Sequence, residues 1–333
     1  MKKFYDLEIQ RKQEIFNQAS AQTGLPAAAI EKDWWVTLVL KSIFTLPYHQ
    51  QIVFKGGTSL SKGWNLIERF SEDIDLAIDR AFFGFEGDLG KAQIRRLRRL
   101  SCRFFSTEFP KDIEVKIKEM GIPDFQIIIS DFDAGDTDPI EIKIEYLSTT
   151  ERSDYIKPGV LIEINSRSLI EPVENRSIQS KLGETFFNAS FADQPAILPL
   201  VLPRRTFLEK AFLLHEEFQR PLEKLNSERK SRHLYDLEKM MDTEHGLSAL
   251  EDTILYKTIV EHREKFTHLS SVDYTTLMPD KIDFIPPEPV IAEWEADYKR
   301  MRENMIYGVT LDFDHLIGRL IELMYRFRGI TLT

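Results

Sequence analysis

Apolar and charged residues alternate along several short stretches of the chain, and this period of two is typical of a strand with one buried face. Between residues 140 and 148, isoleucines at every second position are separated by glutamate and lysine. The same kind of stretch predicts further strands at residues 113–118, 125–130 and 160–168. An acidic segment at residues 131–139 predicts a hairpin turn. Together these stretches indicate a sheet in the first part of the chain.

Apolar residues at helical spacing dominate most of the remaining sequence. They predict helices at residues 5–22, 26–44, 91–105, 205–218, 251–268, 291–306 and 312–328. The apolar, proline-punctuated residues 195–203 are typical of a packed linker. We therefore expect an α+β fold, with a mixed sheet and N-terminal helices in residues 1–191 and a helical domain in residues 192–333.

Residues 52–79 predict a strand, a glycine turn, a helix and a second strand in succession. Gly56 and Gly57 allow a sharp turn and a close approach of the backbone to a ligand. Thr58 and Ser59 follow as candidate helix caps, and free N–H groups at a helix start suit an anion such as phosphate. These four residues are therefore candidate nucleotide-binding residues.

The second strand of this stretch carries two aspartates at alternate positions. Asp73 and Asp75 share one face of the strand, whereas Ile74 and Leu76 share the other. Two neighbouring carboxylates can bind a hard cation, and Mg²⁺ prefers a few carboxylates together with substrate phosphates. Alone, a Gly-Gly turn is usually a loop and an Asp-x-Asp pair is usually a solvated strand face. In this order and context, the two favour a nucleotidyltransferase site.

Three segments resemble the AbiEii/AbiGii-type toxin nucleotidyltransferases, which include the MenT-type toxins of type IV toxin–antitoxin systems. These segments are Lys55–Leu60, Arg69–Leu76 and Glu31–Trp35. The family belongs to the polymerase-β-like nucleotidyltransferase superfamily. The gap between the Gly-Gly turn and the Asp pair is longer than the general superfamily pattern and fits the toxin branch better. The resemblance implies a polymerase-β-like nucleotidyltransferase domain and a role in a toxin–antitoxin or abortive-infection system.

The resemblance also implies roles for residues around the Asp pair. It implies that Asp73 and Asp75 are catalytic and bind Mg²⁺, with an NTP as the substrate. Lys62 and Arg69 are possible phosphate contacts, with a helix surface as the alternative for both, and Ser71 is a candidate brace of the Asp segment.

Superfamily members often have a third carboxylate on a strand beside the Asp pair. Glu145 is the first candidate for this metal ligand and Glu163 the second. For either residue, a solvated glutamate on a strand is the alternative interpretation.

A second motif lies in the helical half of the chain. Lys210 lies close to the apolar side of its helix, and spacing alone predicts that its side chain extends along that side to solvent. The resemblance instead implies that Lys210 binds the triphosphate. It also implies that Asp236, in the segment Ser231–Leu237, is required for activity by orienting Lys210 or a metal-bound water.

Composition limits the partners that the protein can have. The 333 residues carry a net charge of −10 and a single cysteine, Cys102, so no intrachain disulfide can form. The sequence shows neither a signal-peptide pattern nor an apolar run of membrane-spanning length, and it predicts a cytoplasmic protein. The acidic balance argues against nucleic acid as a partner. The basic helix at residues 91–105 is either an ordinary solvated helix face or a local surface for the phosphates of RNA.

Three functions remain open from the sequence. The first, which we expect, is a toxin that transfers a nucleotide to RNA, commonly the tRNA 3′ end in this family, and that has a cognate antitoxin. The second is the same chemistry on a protein or small molecule. The third is a non-catalytic nucleotide-binding module, which the intact Asp73 and Asp75 disfavour.

Overall fold

The computed structural model describes residues 1–129, 140–151 and 155–332. The acidic turn predicted at residues 131–139 lies outside these residues, as does residue 130 at the end of a predicted strand.

Seven strands form one mixed sheet in the order β3-β4-β5-β2-β1-β7-β6. The strands are β1 (Ile52–Lys55), β2 (Asp73–Ile78), β3 (Phe125–Ile129), β4 (Ile140–Tyr146), β5 (Val160–Asn165), β6 (Val173–Ile178) and β7 (Ala196–Val201). The pairs β2–β5 and β1–β7 are parallel, and the other neighbours are antiparallel. The mixed sheet that the alternating stretches predict is therefore observed.

Thirteen α-helices lie in the described residues. They are α1 (Lys2–Tyr5), α2 (Ile9–Thr23), α3 (Ala27–Ile43), α4 (Gly56–Lys62), α5 (Lys91–Thr107), α6 (Phe109–Glu119), α7 (Lys181–Thr185), α8 (Pro203–Phe218), α9 (Ser231–Met240), α10 (Glu244–Glu251), α11 (Thr253–His262), α12 (Ile291–Asn304) and α13 (Phe313–Arg328). None of the helices in the described part of the chain is long and apolar enough to span a membrane.

The apolar face of the sheet forms the core of the mixed part. Ile74 and Leu76 of β2 and the isoleucines of β4 and β5 are fully buried on this face. Helix α3 packs against β2 and β5, and α6 packs against α3. The opposite face of β2, β4 and β5 carries the half-buried and exposed polar residues, so the Asp pair lies on the polar side of the sheet.

Two sequence-based predictions are wrong in this region. The strand predicted at residues 113–118 is part of helix α6, in which Ile113 and Ile117 are buried whereas Val115 is 53% exposed. The alternation of three β-branched residues concealed a helical stripe, and Pro110 lies in the first turn of this helix, where proline is tolerated. Residues 196–201, interpreted as a linker, are strand β7, which lies between β1 and β6.

Two compact units divide the chain. Unit 1 contains Met1–Trp64 and Phe70–Val201, and unit 2 contains Asn65–Arg69 and Leu202–Thr333. The division at residue 201 lies beyond the one predicted at residue 191, because β7 belongs to the sheet. The sequence also did not indicate that the short segment Asn65–Arg69 belongs with the later residues.

Candidate active site

The Gly-Gly turn brings the main chain directly against the Asp75 carboxylate. Strand β1 ends at Lys55, which pairs with Asp75 across the antiparallel ladder, and α4 begins at the next residue. Gly56 has a φ of +77°. A Cβ atom on Gly56 would lie 1.9 Å from Asp75 Oδ2. Both the left-handed backbone and the available space therefore require glycine at this position.

The hydroxyl groups after the turn brace the site from inside the protein. Thr58 Oγ1 donates a hydrogen bond to the Asp73 carbonyl oxygen at 2.5 Å and lies 2.9 Å from Ser71 Oγ. Ser59 Oγ donates to the Gly56 carbonyl oxygen at 2.8 Å. Thr58 and Ser59 are fully buried and lie within α4, because the helix already begins at Gly56, so they do not occupy its N-cap as predicted. The Thr58 hydroxyl therefore connects the turn to the Asp segment, and the Ser59 hydroxyl holds the turn itself.

The register of the sheet places a third carboxylate beside the Asp pair. Asp75 is paired with Glu163 of β5 in the parallel ladder, and Asp73 is paired with Leu161. Glu163 is in turn paired with Glu141 of β4. Residues paired in register share a face, so Asp75, Glu163 and Glu141 form a row across three strands.

Glu145, the first candidate for the third ligand, lies elsewhere on the sheet. It is on β4, which is separated from β2 by β5, and its carboxylate forms an ion pair with Lys143. Among the described residues, no group of three or more His, Cys, Asp or Glu side chains is arranged to hold a metal. Asp73 and Asp75 nevertheless suit Mg²⁺, since one or two carboxylates are enough when substrate phosphates supply further oxygens.

Helix α3 contributes buried charges that the sequence-based search for site residues missed. Lys32 is 6% exposed, and its ammonium lies 2.6 Å from Glu72 Oε2 and 3.1 Å from the Lys157 carbonyl oxygen. Glu72 immediately precedes Asp73, so this ion pair fixes the start of β2. The signal in the sequence is a run of three charges, Glu31–Asp33, within a helix whose other residues are almost all apolar.

The two neighbours of Lys32 hold other parts of the same region. Asp33 Oδ1 accepts a hydrogen bond from the Lys62 ammonium at 2.5 Å, and its Oδ2 accepts one from the backbone N–H of Lys181 at 2.6 Å. Lys62, a candidate phosphate contact, is only 6% exposed, so its ion pair with Asp33 is buried. Glu31 accepts hydrogen bonds from three consecutive hydroxyl residues, 148–150. Helix α3 thus anchors α4, β2 and the segment after β4.

The second motif forms a buried ion cluster within unit 2. Asp236 is fully buried and accepts two hydrogen bonds from Arg69, from Nε at 2.7 Å and from Nη2 at 2.8 Å. The Lys210 ammonium lies 2.8 Å from Asp236 Oδ2 and 3.3 Å from His233 Nδ1. Because an ammonium can only donate, His233 accepts at Nδ1. Lys210 is therefore held between two acceptors and does not extend to solvent.

Protonation in this cluster follows from burial and from the excess of cations. Burial alone would raise the pKa of Asp236, but Arg69 and Lys210 outweigh it and hold this pKa well below its usual range. Burial, together with the charges of Lys210 and Arg232, lowers the pKa of His233 well below its ordinary value. Burial also lowers the pKa of Lys210, and Asp236 opposes this shift. The cluster is a carboxylate and a neutral imidazole among several cations.

The segment Asn65–Arg69 has further hydrogen bonds within unit 2. The backbone N–H of Glu68 donates to the Tyr235 hydroxyl at 3.3 Å, and the Glu68 carbonyl oxygen accepts from the N–H of Tyr307 at 3.1 Å. Arg69 forms a bridge with Ile306. Asp73 follows Arg69 by four residues along the chain, so unit 2 holds the segment that leads into the Asp pair.

Comparison with known protein families places the chain among the nucleotidyl transferases. Residues 38–319 match the family described as "Nucleotidyl transferase AbiEii toxin, Type IV TA system", and the chain belongs to this family. An NTP substrate and an antitoxin partner follow from membership of a type IV toxin–antitoxin family.

No curated protein matches the chain. One of seven matching chains of solved structures is the crystal structure of JHP933 from Helicobacter pylori, at 16% sequence identity and a TM-score of 0.37. That match covers 92% of this chain and 93% of the other.

Proposed function

We propose that the protein is a Mg²⁺-dependent toxin that transfers a nucleoside monophosphate from an NTP to RNA in the cytoplasm, with the tRNA 3′ end as the acceptor and pyrophosphate as the leaving group. In this proposal the sheet and its helices form a polymerase-β-like nucleotidyltransferase domain, and the helices from α8 onward form a helical C-terminal domain. Membership of the toxin family supports nucleotide transfer from an NTP. The choice of RNA as the acceptor goes beyond that membership.

The observation that carries the proposal is the approach of the Gly56 backbone to Asp75. It leaves no room for a side chain between the turn and the carboxylate. Under this proposal the N–H groups of Gly56 and Gly57 face the phosphates of the NTP, while Thr58, Ser59 and Ser71 keep the turn and the Asp segment in register. The protein contributes positioning, which is the larger part of catalysis in phosphoryl-type transfer.

Asp73 and Asp75 would hold the metal, and Glu163, rather than Glu145, is the residue from which a third carboxylate would come if its side chain turned toward the pair on metal binding. Bound Mg²⁺ would supply charge neutralisation and acidify the acceptor hydroxyl. The support for Glu163 is its direct pairing with Asp75 across the parallel ladder.

Lys210 and Arg69 are assigned to the triphosphate, and Asp236 orients them both. Two observations support this assignment. Asp236 contacts both cations directly, and the surrounding charges leave the cluster with a positive excess that suits phosphate. Asp236 is fully buried and saturated by these two cations, which disfavours the alternative that it orients a metal-bound water.

The test is nucleotide transfer by purified protein supplied with Mg²⁺, one α-labelled NTP at a time and total bacterial tRNA. We expect label in tRNA with the wild type, none with Asp73→Asn, and none after addition of EDTA. Asp79→Asn is the matched control, since Asp79 lies just beyond β2 and accepts a hydrogen bond from the backbone of Ala81. Label on protein, or on no macromolecule, would overturn the RNA acceptor and favour a protein or small-molecule substrate.

A further inference from the structure

Helix α5 carries an unusual concentration of positive charge for an acidic protein. Its 17 residues contain Lys91, Arg95, Arg96, Arg98, Arg99 and Arg103 and no Asp or Glu, although the chain has 54 acidic residues. Five of these six cations are exposed, and Arg98 is half-buried.

Four of the cations form a row along the helix. Lys91, Arg95, Arg99 and Arg103 are each four residues apart, so consecutive members are neighbours on the helix surface, and Arg96 lies beside them. At 1.5 Å per residue the row is about 18 Å long. Within the described residues, these five side chains form no ion pair.

The row does not stabilise the helix that carries it. Like charges four residues apart repel each other. Lys91 is the first residue of α5, where the helix dipole disfavours a cation, and the last turn, where a cation would be favoured, has none. Other surface helices balance their charges, as Arg11–Glu14, Lys116–Glu119 and Lys118–Glu114 show. The charge of α5 therefore suits an external anion.

The chemistry of the row favours phosphate over an acidic protein. Arginine, which accounts for most of the cations, presents a planar fork of donors that matches phosphate oxygens. Protein interfaces are also enriched in arginine, but they surround an apolar core. On α5, the apolar residues Ile94, Leu97 and Phe105 are buried within the protein, and Leu100 is 39% exposed.

We infer that the exposed face of α5, defined by Lys91, Arg95, Arg96, Arg99 and Arg103, is a docking surface for the phosphate backbone of RNA. This inference rests on the proposed function only for the choice of RNA as the polyanion. Double-stranded DNA carries one phosphate charge per about 1.7 Å of its axis, and at that charge density a row of about 18 Å would span roughly ten phosphates. The surface adds affinity and carries no base specificity.

The test is the salt dependence of binding to fluorescently labelled total tRNA, measured by anisotropy between 50 and 200 mM NaCl. We expect the triple variant Arg95→Gln/Arg99→Gln/Arg103→Gln to bind roughly 10- to 100-fold more weakly than the wild type at about 0.1 M salt. The logarithm of the association constant decreases linearly with the logarithm of the salt concentration. The magnitude of this negative slope should be smaller by about 2 to 3 in the triple variant, because each lost phosphate contact accounts for about 0.7 to 0.9.

Arg11→Gln/Lys116→Gln/Lys118→Gln is the matched control. It removes the same number of cations, of which Arg11 and Lys118 are exposed and Lys116 is half-buried, and each is paired with a glutamate. It should bind tRNA as the wild type does. The α5 variant should melt no lower than the wild type, because its substitutions relieve repulsion.

The outcomes separate this inference from the proposed function. Wild-type affinity and slope in the α5 variant would overturn the inference, whatever the transfer assay shows. Failure of the wild type to bind tRNA would overturn it too, and so would loss of antitoxin binding by the α5 variant without loss of tRNA binding. If the wild type binds tRNA through α5 but transfers no nucleotide to it, the proposed function fails and the docking surface stands.

Discussion

Replacing Gly56 with alanine should disable the enzyme far more than it destabilises the fold. A Cβ atom on Gly56 would lie 1.9 Å from Asp75 Oδ2, 2.6 Å from Cγ and 2.8 Å from Cβ. Cβ atoms essentially never approach another atom within 3.0 Å, so the carboxylate oxygen has to retreat by at least about 1.1 Å. A misplacement of about 1 Å in a catalytic constellation costs about 10²-fold in rate. We expect nucleotide transfer to fall by about that factor or more.

The effect on stability should be modest by comparison. A non-glycine residue in the left-handed region costs about 1–2 kcal/mol. For a domain of this size, that corresponds to a fall in melting temperature of roughly 2–8 °C. The initial rate of α-labelled nucleotide incorporation and the melting temperature should therefore be measured on the same preparation.

Gly84→Ala is the control that separates backbone strain from displacement of the carboxylate. Gly84 also has a φ of +77°, and no described atom lies within 4 Å of a Cβ built there. It should lower the melting temperature by a similar amount and leave the rate of transfer near that of the wild type. Near-wild-type activity in Gly56→Ala, or an equal loss of activity in Gly84→Ala, would refute the reasoning.

Three further predictions concern the buried charges. Lys32→Met removes the buried ammonium that lies 2.6 Å from Glu72 and should cost about 3–5 kcal/mol of unfolding free energy. The double variant Lys32→Met/Glu72→Gln should recover much of this loss in urea titrations, and equal losses in the single and double variants would argue against the pair. Asp236→Asn removes the anion between two buried cations and should cost a similar unfolding free energy at pH 7. Because the pKa of Asp236 is lowered in the folded protein, the wild type loses stability as the pH falls below about 4, and the variant should lose less. An unchanged dependence of stability on pH below about pH 4 would contradict this prediction. Because the pKa of His233 is lowered in the folded protein, the unfolded chain takes up the proton first, and stability should fall by roughly 1 kcal/mol per pH unit from pH 6 to 5. His233→Gln should remove that slope, and a slope that persists would assign it to other groups.

Local pattern was enough to predict most strands and the turn. Alternation identified β4 and β5, and the Gly-Gly and Asp-x-Asp motifs lie where β1, α4 and β2 meet. The pattern misled where two periods coincide, as in α6, whose β-branched residues satisfy both a strand and a helix stripe. It also misled at β7, because its proline suggested a linker.

The parts of the site that the sequence did not reveal depend on distant residues. The partners of Lys32 and Asp33 lie 40 and 29 residues away, and no local period encodes such pairs. The choice between Glu145 and Glu163 depends on strand order, which places β5 and not β4 beside β2. A charged residue in a sequence is ordinarily assigned to solvent, so buried ion pairs are the features that this kind of reasoning misses first.

The path of the chain through the two units has a consequence for how the gene can be divided. Residues 65–69 lie in the first third of the sequence, whereas their partners Tyr235, Asp236 and Ile306 lie in the last third. A fragment ending at residue 201 would keep Arg69 and lose the carboxylate that neutralises it, whereas a fragment beginning at residue 202 would keep Asp236 without its guanidinium. Neither half is a self-sufficient module, so recombination at the apparent boundary would yield two defective products.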